Sequence, residues 1–249
     1  MKIVASKRLL ALWSLTLLSC SGSQPPDSTV QEYTWEVSNL QERGMLLLVE
    51  DRRQFDPFAV ETTRQADPEL RVELAETLGR VGNPRGFSTL QELLGDSEAE
   101  VRRAAAFGLG LLGDQRGESP LLRAVTDPDP ATGKTAVASL ASLEIDFQKV
   151  IAVLQTLPAD ETWPRLLPSL YRFSGESALA IAQQGLVLDQ TELRRMAAYA
   201  LARDPVPETV PQLRQILEDT DPWIRGWGAR GLGQVGDGQD LERLKPLLN

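Results

Sequence analysis

Asp96-Ser-Glu-Ala-Glu-Val-Arg-Arg-Ala-Ala-Ala-Phe-Gly-Leu-Gly-Leu-Leu-Gly-Asp114 reads as one helix with its own stop signal. Val101, Ala105, Leu109 and Leu112 recur at spacings of three and four, so they share one helical face. Three alanines keep the helix slim, and Gly113-Asp114 ends it, because glycine tolerates the left-handed conformation that closes a helix. The block recurs. Leu109 has counterparts at Leu47, Leu78, Leu140, Leu170, Leu201 and Leu232, each 31 or 30 residues from the next. A fixed period of this length marks a solenoid of stacked helical hairpins, so the fold class expected is all-α.

The six clear units share a plan. Small or aliphatic residues precede each leucine: Leu74/Ala75, Ala105/Ala106, Ala136/Val137, Leu166/Leu167, Ala197/Ala198 and Gly228/Ala229. Small side chains there let neighbouring helices approach closely. Shorter second helices carry Leu90, Leu93 and Leu94; Leu121, Ala124 and Val125; Leu213, Ile216 and Leu217; and Leu244, Leu247 and Leu248. That spacing buries one face and leaves the other open. Tyr33 to Asp51, with Leu40, Leu47 and Leu48 apolar, and a short helix from Asp56-Pro57 through Phe58, Val60 and Thr63 form a degenerate first pair. An atypical end unit is expected where one side meets water.

Asp67-Pro68-Glu69-Leu70-Arg71, Leu78-Gly79-Arg80-Val81-Gly82-Asn83 and their copies resemble HEAT-like repeats of the short phycobilisome-lyase type. The resemblance covers residues 65–249, with 33–64 as a capping pair. It implies that arginines at Arg71, Arg102, Arg194 and Arg225 form ladders with acidic residues near the helix starts. Gly133 and Trp163 interrupt that column, in the unit that is one residue short. There Pro164 suits a helix start, whereas Pro168 falls mid-helix and removes a hydrogen bond, which predicts a local bend over 160–175. A hinge and simple drift in a tolerant repeat both account for the interruption.

Little in the chain promises chemistry. Histidine is absent, which removes imidazole bases, histidine metal ligands and the usual nucleophilic triads. The single cysteine, Cys20, permits no intrachain disulfide or thiolate cluster. Asp127-Pro128-Asp129-Pro130 lacks the ligand spacing and turn glycine of a calcium loop, and helix-start turns explain it. Gly108-Leu-Gly-Leu-Leu-Gly113 follows no strand, so helix packing explains its glycines better than a dinucleotide loop. No catalytic residue, cofactor, metal or small-molecule substrate is expected, and the chain is expected not to be an enzyme. Net charge is −9, with both signs interleaved, which argues against nucleic acid as a partner.

What remains is surface. In HEAT-like arrays the second helices line the inner curve, where Gln91, Arg123, Gln184, Arg214 and Lys245 would project. Long, mixed polar side chains suit protein recognition, and they suit a solvated face equally well. Trp223 and Trp227, one turn apart, form a second candidate, since tryptophan is enriched in binding hot spots. Trp227 also sits next to the close-packed positions, where it would pack between units.

The first residues read as an address. Lys2, Lys7 and Arg8 precede an apolar run from Leu9 to Leu18 that is too short to span a bilayer. Leu17-Leu18-Ser19-Cys20 resembles a bacterial lipobox, although a small residue is commoner where Leu18 stands. The resemblance implies cleavage after Ser19, lipid attachment at Cys20 and, with Ser21 following, an outer-membrane address. Residues 1–19 are then a signal peptide and 20–32 a flexible tether. The resulting expectation is an exported, lipid-anchored scaffold that binds a protein. The alternative is the repeat region of an enzyme: accessory to a downstream domain such as a cyclophilin-type peptidyl-prolyl isomerase, or a lyase-type subunit. The apolar flank at Leu247-Leu248-Asn249 favours something covering it.

Overall fold

The computed structural model describes residues 39–245. The chain divides after Leu40, and the array belongs to the second part. Among the described residues the ordered elements are helical. They are α1 (Leu40–Arg52), α2 (Pro57–Arg64), α3 (Pro68–Val81), α4 (Phe87–Leu93), α5 (Ala99–Leu112), α6 (Glu118–Ala124) and α7 (Pro130–Ser142). There follow α8 (Phe147–Leu154), α9 (Ala159–Leu166), α10 (Glu176–Gly185), α11 (Thr191–Arg203), α12 (Val210–Ile216), α13 (Pro222–Val235) and α14 (Asp240–Leu244). First helices stack on first helices, α3 on α5 on α7 and α11 on α13, with the short second helices alongside.

Local chemistry sets the helix ends. Asp56, Asp67, Asp129 and Asp221 each precede a proline, and each accepts backbone N–H groups of the first turn. Proline at the first helical position loses a donor that has no intrahelical partner anyway. Gly82 and Gly113 close α3 and α5 at φ of 68° and 69°, the left-handed conformation expected of them. Asp129 of the acidic loop is thus a helix cap, as the turn reading requires.

The core runs through the whole array. Leu70, Leu74, Leu78, Leu90, Leu109, Leu121, Leu140, Leu170, Leu201 and Leu213 are essentially inaccessible to water. The helices touch through backbone where glycines lie. A methyl on Gly79 would sit 2.7 Å from Gly108 Cα, and one on Gly108 would sit 2.6 Å from the Ala75 carbonyl. The glycines of Gly108–Gly113 therefore serve packing and termination.

The first helical pair departs from expectation. Leu40, Leu47 and Leu48 are exposed, and α1 buries Leu46 and Val49 instead. The unbroken run Met45-Leu-Leu-Leu-Val49 presents an apolar residue at every angle, so the 31-residue phase does not fix which ones face the core. Arg43 of α1 pairs with Glu69 at 2.5 Å and Glu73 at 3.1 Å, which ties the pair to α3.

The arginine ladder is present at Arg71, Arg102 and Arg194 and reaches 25 residues forward, whereas Arg225 donates to the carbonyls of Asp219 and Thr220 and, among the described residues, meets no carboxylate. Arg71 forks onto Asp96 at 2.8 and 3.0 Å, and Arg102 onto Asp127 at 2.8 and 2.9 Å. Arg194 lies 3.5 Å from Asp219. Arg102 also donates to the carbonyls of Asp96 and Ser97 in its own preceding loop.

At Gly133 the interruption has a structural cause, so drift is not the account. Arg165, from the following unit, is 2% exposed and donates to the Asp127 carbonyl at 3.2 Å. That carbonyl is the counterpart, one period on, of the one that Arg102 takes at Asp96. A side chain at Gly133 would collide with Arg165, its Cβ lying 2.7 Å from Nε and 3.0 Å from Cδ. The missing arginine is supplied from the next unit, and glycine makes room for it.

The proline-rich unit also differs in detail. α9 starts at Ala159, which puts Pro164 inside the helix and not at its start. At Leu167 the chain tightens into a 3₁₀ segment, Leu167–Arg172, with Pro168 in its first turn. Without an N–H at Pro168 the α-helical bond to Pro164 cannot form, and the helix changes type where the bend was expected.

Candidate protein-binding face

The second helices place the expected face residues in two groups. Gln91 on α4 and Arg123 on α6 line one cleft of about 340 Å³, together with Leu94, Pro120, Thr126 and Pro128. Arg123 donates to Ser119 Oγ at 3.0 Å, one turn back, which holds its guanidinium along the helix. Gln184 on α10 lines a second cleft of about 220 Å³ between α8, α9 and α10. Its other walls are Ile151, Leu154, Leu157, Trp163, Leu166 and Ile181, with Gln155 and Thr162 as polar points. This cleft is chiefly apolar, the composition that receives an apolar side chain or ligand.

Two residues of the expected face have other commitments. Arg214 donates to both Asp240 carboxylate oxygens, at 2.7 and 3.1 Å, and lies 3.3 Å from Asp237. Arg214 holds the Asp240 carboxyl below its ordinary range against the cost of burial, so the pair ties α12 to α14. Lys245 pairs with Glu242 at 2.5 Å, on the last described turn. Neighbouring second helices are joined in the same manner, by Arg64 to Glu92 at 2.8 Å, Glu118 to Lys149, and Gln148 to Ser177. Ser19 and Cys20 lie outside the described residues.

Trp163 is the face residue that sequence reasoning missed as such. Its substitution in the arginine column registers as a defect, although it is half-buried and forms a wall of the apolar cleft. An aromatic residue replacing a charged one beside the irregular prolines was the available signal. Trp223 and Trp227 lie on α13 and line neither cleft. Trp223 is exposed, and Trp227 meets Tyr199 edge-on with ring centroids 4.8 Å apart.

Among the described residues no three histidine, cysteine or acidic side chains come together to hold a metal, and no helix is long and apolar enough to cross a membrane. The HEAT-repeat family model matches residues 56–106, 89–167 and 181–249, which together make up most of the chain. The chain is a HEAT-repeat protein. This HEAT array is 26% identical over 189 residues to deoxyhypusine hydroxylase of Danio rerio, covering 72% of the chain and 60% of that relative. It is 33% identical over 105 residues to deoxyhypusine hydroxylase of Homo sapiens, covering 39% of the chain and 34% of the relative. It therefore spans less than two thirds of the length of either.

Two solved structures are also similar to the array. One is the complex of CpcE and CpcF of phycocyanin lyase from Nostoc sp., at 16% identity and a TM-score of 0.45, covering 93% of this chain and 96% of that one. The other is human deoxyhypusine hydroxylase in complex with glycerol, at 21% identity and a TM-score of 0.35, covering 86% and 92%. The sequence relatives correct one expectation. Absence of histidine and of any acid–base pair predicts a chain with no enzymatic role, yet both relatives carry an enzyme's name, and that expectation does not stand.

Proposed function

We propose that this HEAT array is the repeat region of an enzyme, in the manner of a lyase-type subunit, and that it holds a protein substrate along its second-helix face. The observation that carries this reading is the apolar cleft walled by Trp163 and edged by Gln184. An apolar side chain of the substrate seats there, and the glutamine amide addresses the backbone beside it. The Gln91–Arg123 cleft gives a second, polar foothold two units away. Enzyme names among the sequence relatives support the enzymatic half of the proposal.

The test is a photo-crosslinking amino acid at Gln184, with a matched one at Arg103 on a first helix as control. A protein captured from the host at Gln184 and not at Arg103 is expected to change mass when the gene for this chain is deleted. A captured protein whose covalent state is the same with and without the chain would rule the enzymatic reading out.

We infer further, from Lys2, Lys7, Arg8, the run Leu9 to Leu18 and Ser19-Cys20, that residues 1–19 are removed and Cys20 carries lipid. Residues 20–32 then tether the array, 33–64 cap it and 65–249 form its six repeats, held at the outer membrane. Two or three acyl chains anchor stably, because each buried methylene contributes about 0.8 kcal/mol. Metabolic labelling with palmitate should mark the native chain and fail for Cys20→Ser; equal labelling of both would remove the anchor.

A further inference from the structure

On the first-helix face of the last units three aromatic rings run in series. Tyr171 and Tyr199 have centroids 5.2 Å apart at 65°, and Tyr199 and Trp227 4.8 Å apart at 63°. They recur at 28-residue spacing from the 3₁₀ segment to α11 to α13. Trp223, 66% exposed, extends the row by one turn. Three exposed arginines border it. Arg203 stands 4.6 Å above the Tyr171 ring and donates to the Tyr199 hydroxyl at 2.7 Å. Arg230 stands 5.5 Å above Trp227, and Arg172 lies 6.0 Å from Tyr171 while donating to Ala138 O and Ser142 Oγ.

The strip is rich in unpaired positive charge. On first helices of the earlier units Arg80 is paired with Glu50 and Glu76, and Arg103 with Glu100. Among the described residues Arg172, Arg203 and Arg230 have no carboxylate partner, in a chain whose net charge is −9. A guanidinium over an aromatic face keeps N–H donors for other partners, and a carboxylate takes two of them in parallel bonds. Tyrosine, tryptophan and arginine are also the residues that dominate protein-binding hot spots.

We propose that this strip docks an acidic segment of a partner protein, whose carboxylates fork onto Arg172, Arg203 and Arg230 while its apolar side chains lie over the rings. It is a different surface from the second-helix clefts and does not depend on what they hold. The first probe is a fluorescent glutamate-rich peptide with interspersed leucines, against the full chain, with its lysine-rich counterpart as control.

Binding is expected for the acidic peptide alone and should weaken as salt rises. The triple variant R172Q/R203Q/R230Q should lose at least about tenfold in affinity, the scale of one or two charge-assisted bonds. Arg230→Gln alone, which gives up no hydrogen bond in the free protein, should lose severalfold without change in melting temperature. Arg123→Gln, on the other face, should bind as wild type. Absence of binding, equal binding by the triple variant, or binding to anionic vesicles in place of the peptide would each overturn the proposal.

Discussion

Replacing Gly133 by alanine separates two physical effects that predict opposite signs. In a helix interior alanine is favoured over glycine by about 1 kcal/mol, so propensity alone predicts a more stable protein. Packing predicts the reverse. The new Cβ would lie 2.6 Å from the Val125 carbonyl oxygen and 2.7 Å from Arg165 Nε. Val125 O is backbone at the end of α6, and Arg165 is buried with its guanidinium held by the carbonyls of Glu161 at 2.9 Å and Asp127 at 3.2 Å. Neither neighbour can move aside without breaking its own bonds. Overpacking of this kind costs about 1–3 kcal/mol, so after the propensity gain a net loss of up to about 2 kcal/mol remains. For a chain of this size that is several degrees in melting temperature, at about 2–4 °C per kcal/mol. Gly226, inside α13, supplies the control, because a Cβ there meets nothing within 4 Å. Gly226→Ala should stabilise by about 1 kcal/mol. Urea unfolding followed by circular dichroism reads both. In an Arg165→Ala background the Gly133→Ala penalty should shrink by about 1 kcal/mol, the coupling expected of residues in contact. If both glycine variants shift stability in the same direction and by the same amount, the account of Arg165 filling Gly133's place is refuted.

Other consequences are simpler to read. Asp221 is held down to about 2, chiefly by the Arg195 guanidinium, with the Ile224 and Trp223 N–H groups adding to it and burial opposing. A carboxyl lowered on folding contributes stability above its unfolded pKa, about 3.9, and that contribution is lost as pH falls toward 2. Unfolding midpoints measured across that window should fall less steeply for Asp221→Asn than for wild type. Arg102→Ala removes a fork onto Asp127 in which both side chains are mostly buried, and should cost about 2 kcal/mol in chemical denaturation. Arg103→Ala, breaking an exposed pair with Glu100, should cost under about 0.5 kcal/mol. Gly82→Ala forces a side chain into φ of 68° and should cost about 1 kcal/mol, seen as a lower melting temperature.

The repeat was legible because its determinants are local. Leucine spacing, Asp-Pro starts and Gly-Asn or Gly-Asp stops act within one or two turns, and Leu78, Leu109, Leu140, Leu170, Leu201 and Leu232 all fall in the core. The ladder was legible in part, since Arg71 and Asp96 repeat as Arg102 and Asp127 at the same separation. What escaped depends on partners distant in sequence. Arg165 reaches back 38 residues to Asp127 O, off the 25-residue rule. Arg214 carries no mark in the sequence that distinguishes it from Arg123, yet one is engaged by Asp240 and the other is exposed. Tyr171, Tyr199 and Trp227 recur at 28 residues and not 31, so the main period hides them.

A ladder in which each unit offers an arginine forward and an aspartate backward has a consequence for how such a chain grows. Copying the unit that carries Arg71 or Arg102 leaves its junctions with a donor facing an acceptor, so duplication there yields a protein that still fits itself. The crossing of Arg165 over Gly133 breaks that freedom. A second copy of the Gly133 unit, inserted without the unit that follows it, would carry a gap with no guanidinium to fill it. A lone copy of the Arg165 unit would drive its side chain into whatever residue preceded it. These two units can be inherited only as a pair, and lineage changes in repeat number should leave residues 130–172 intact.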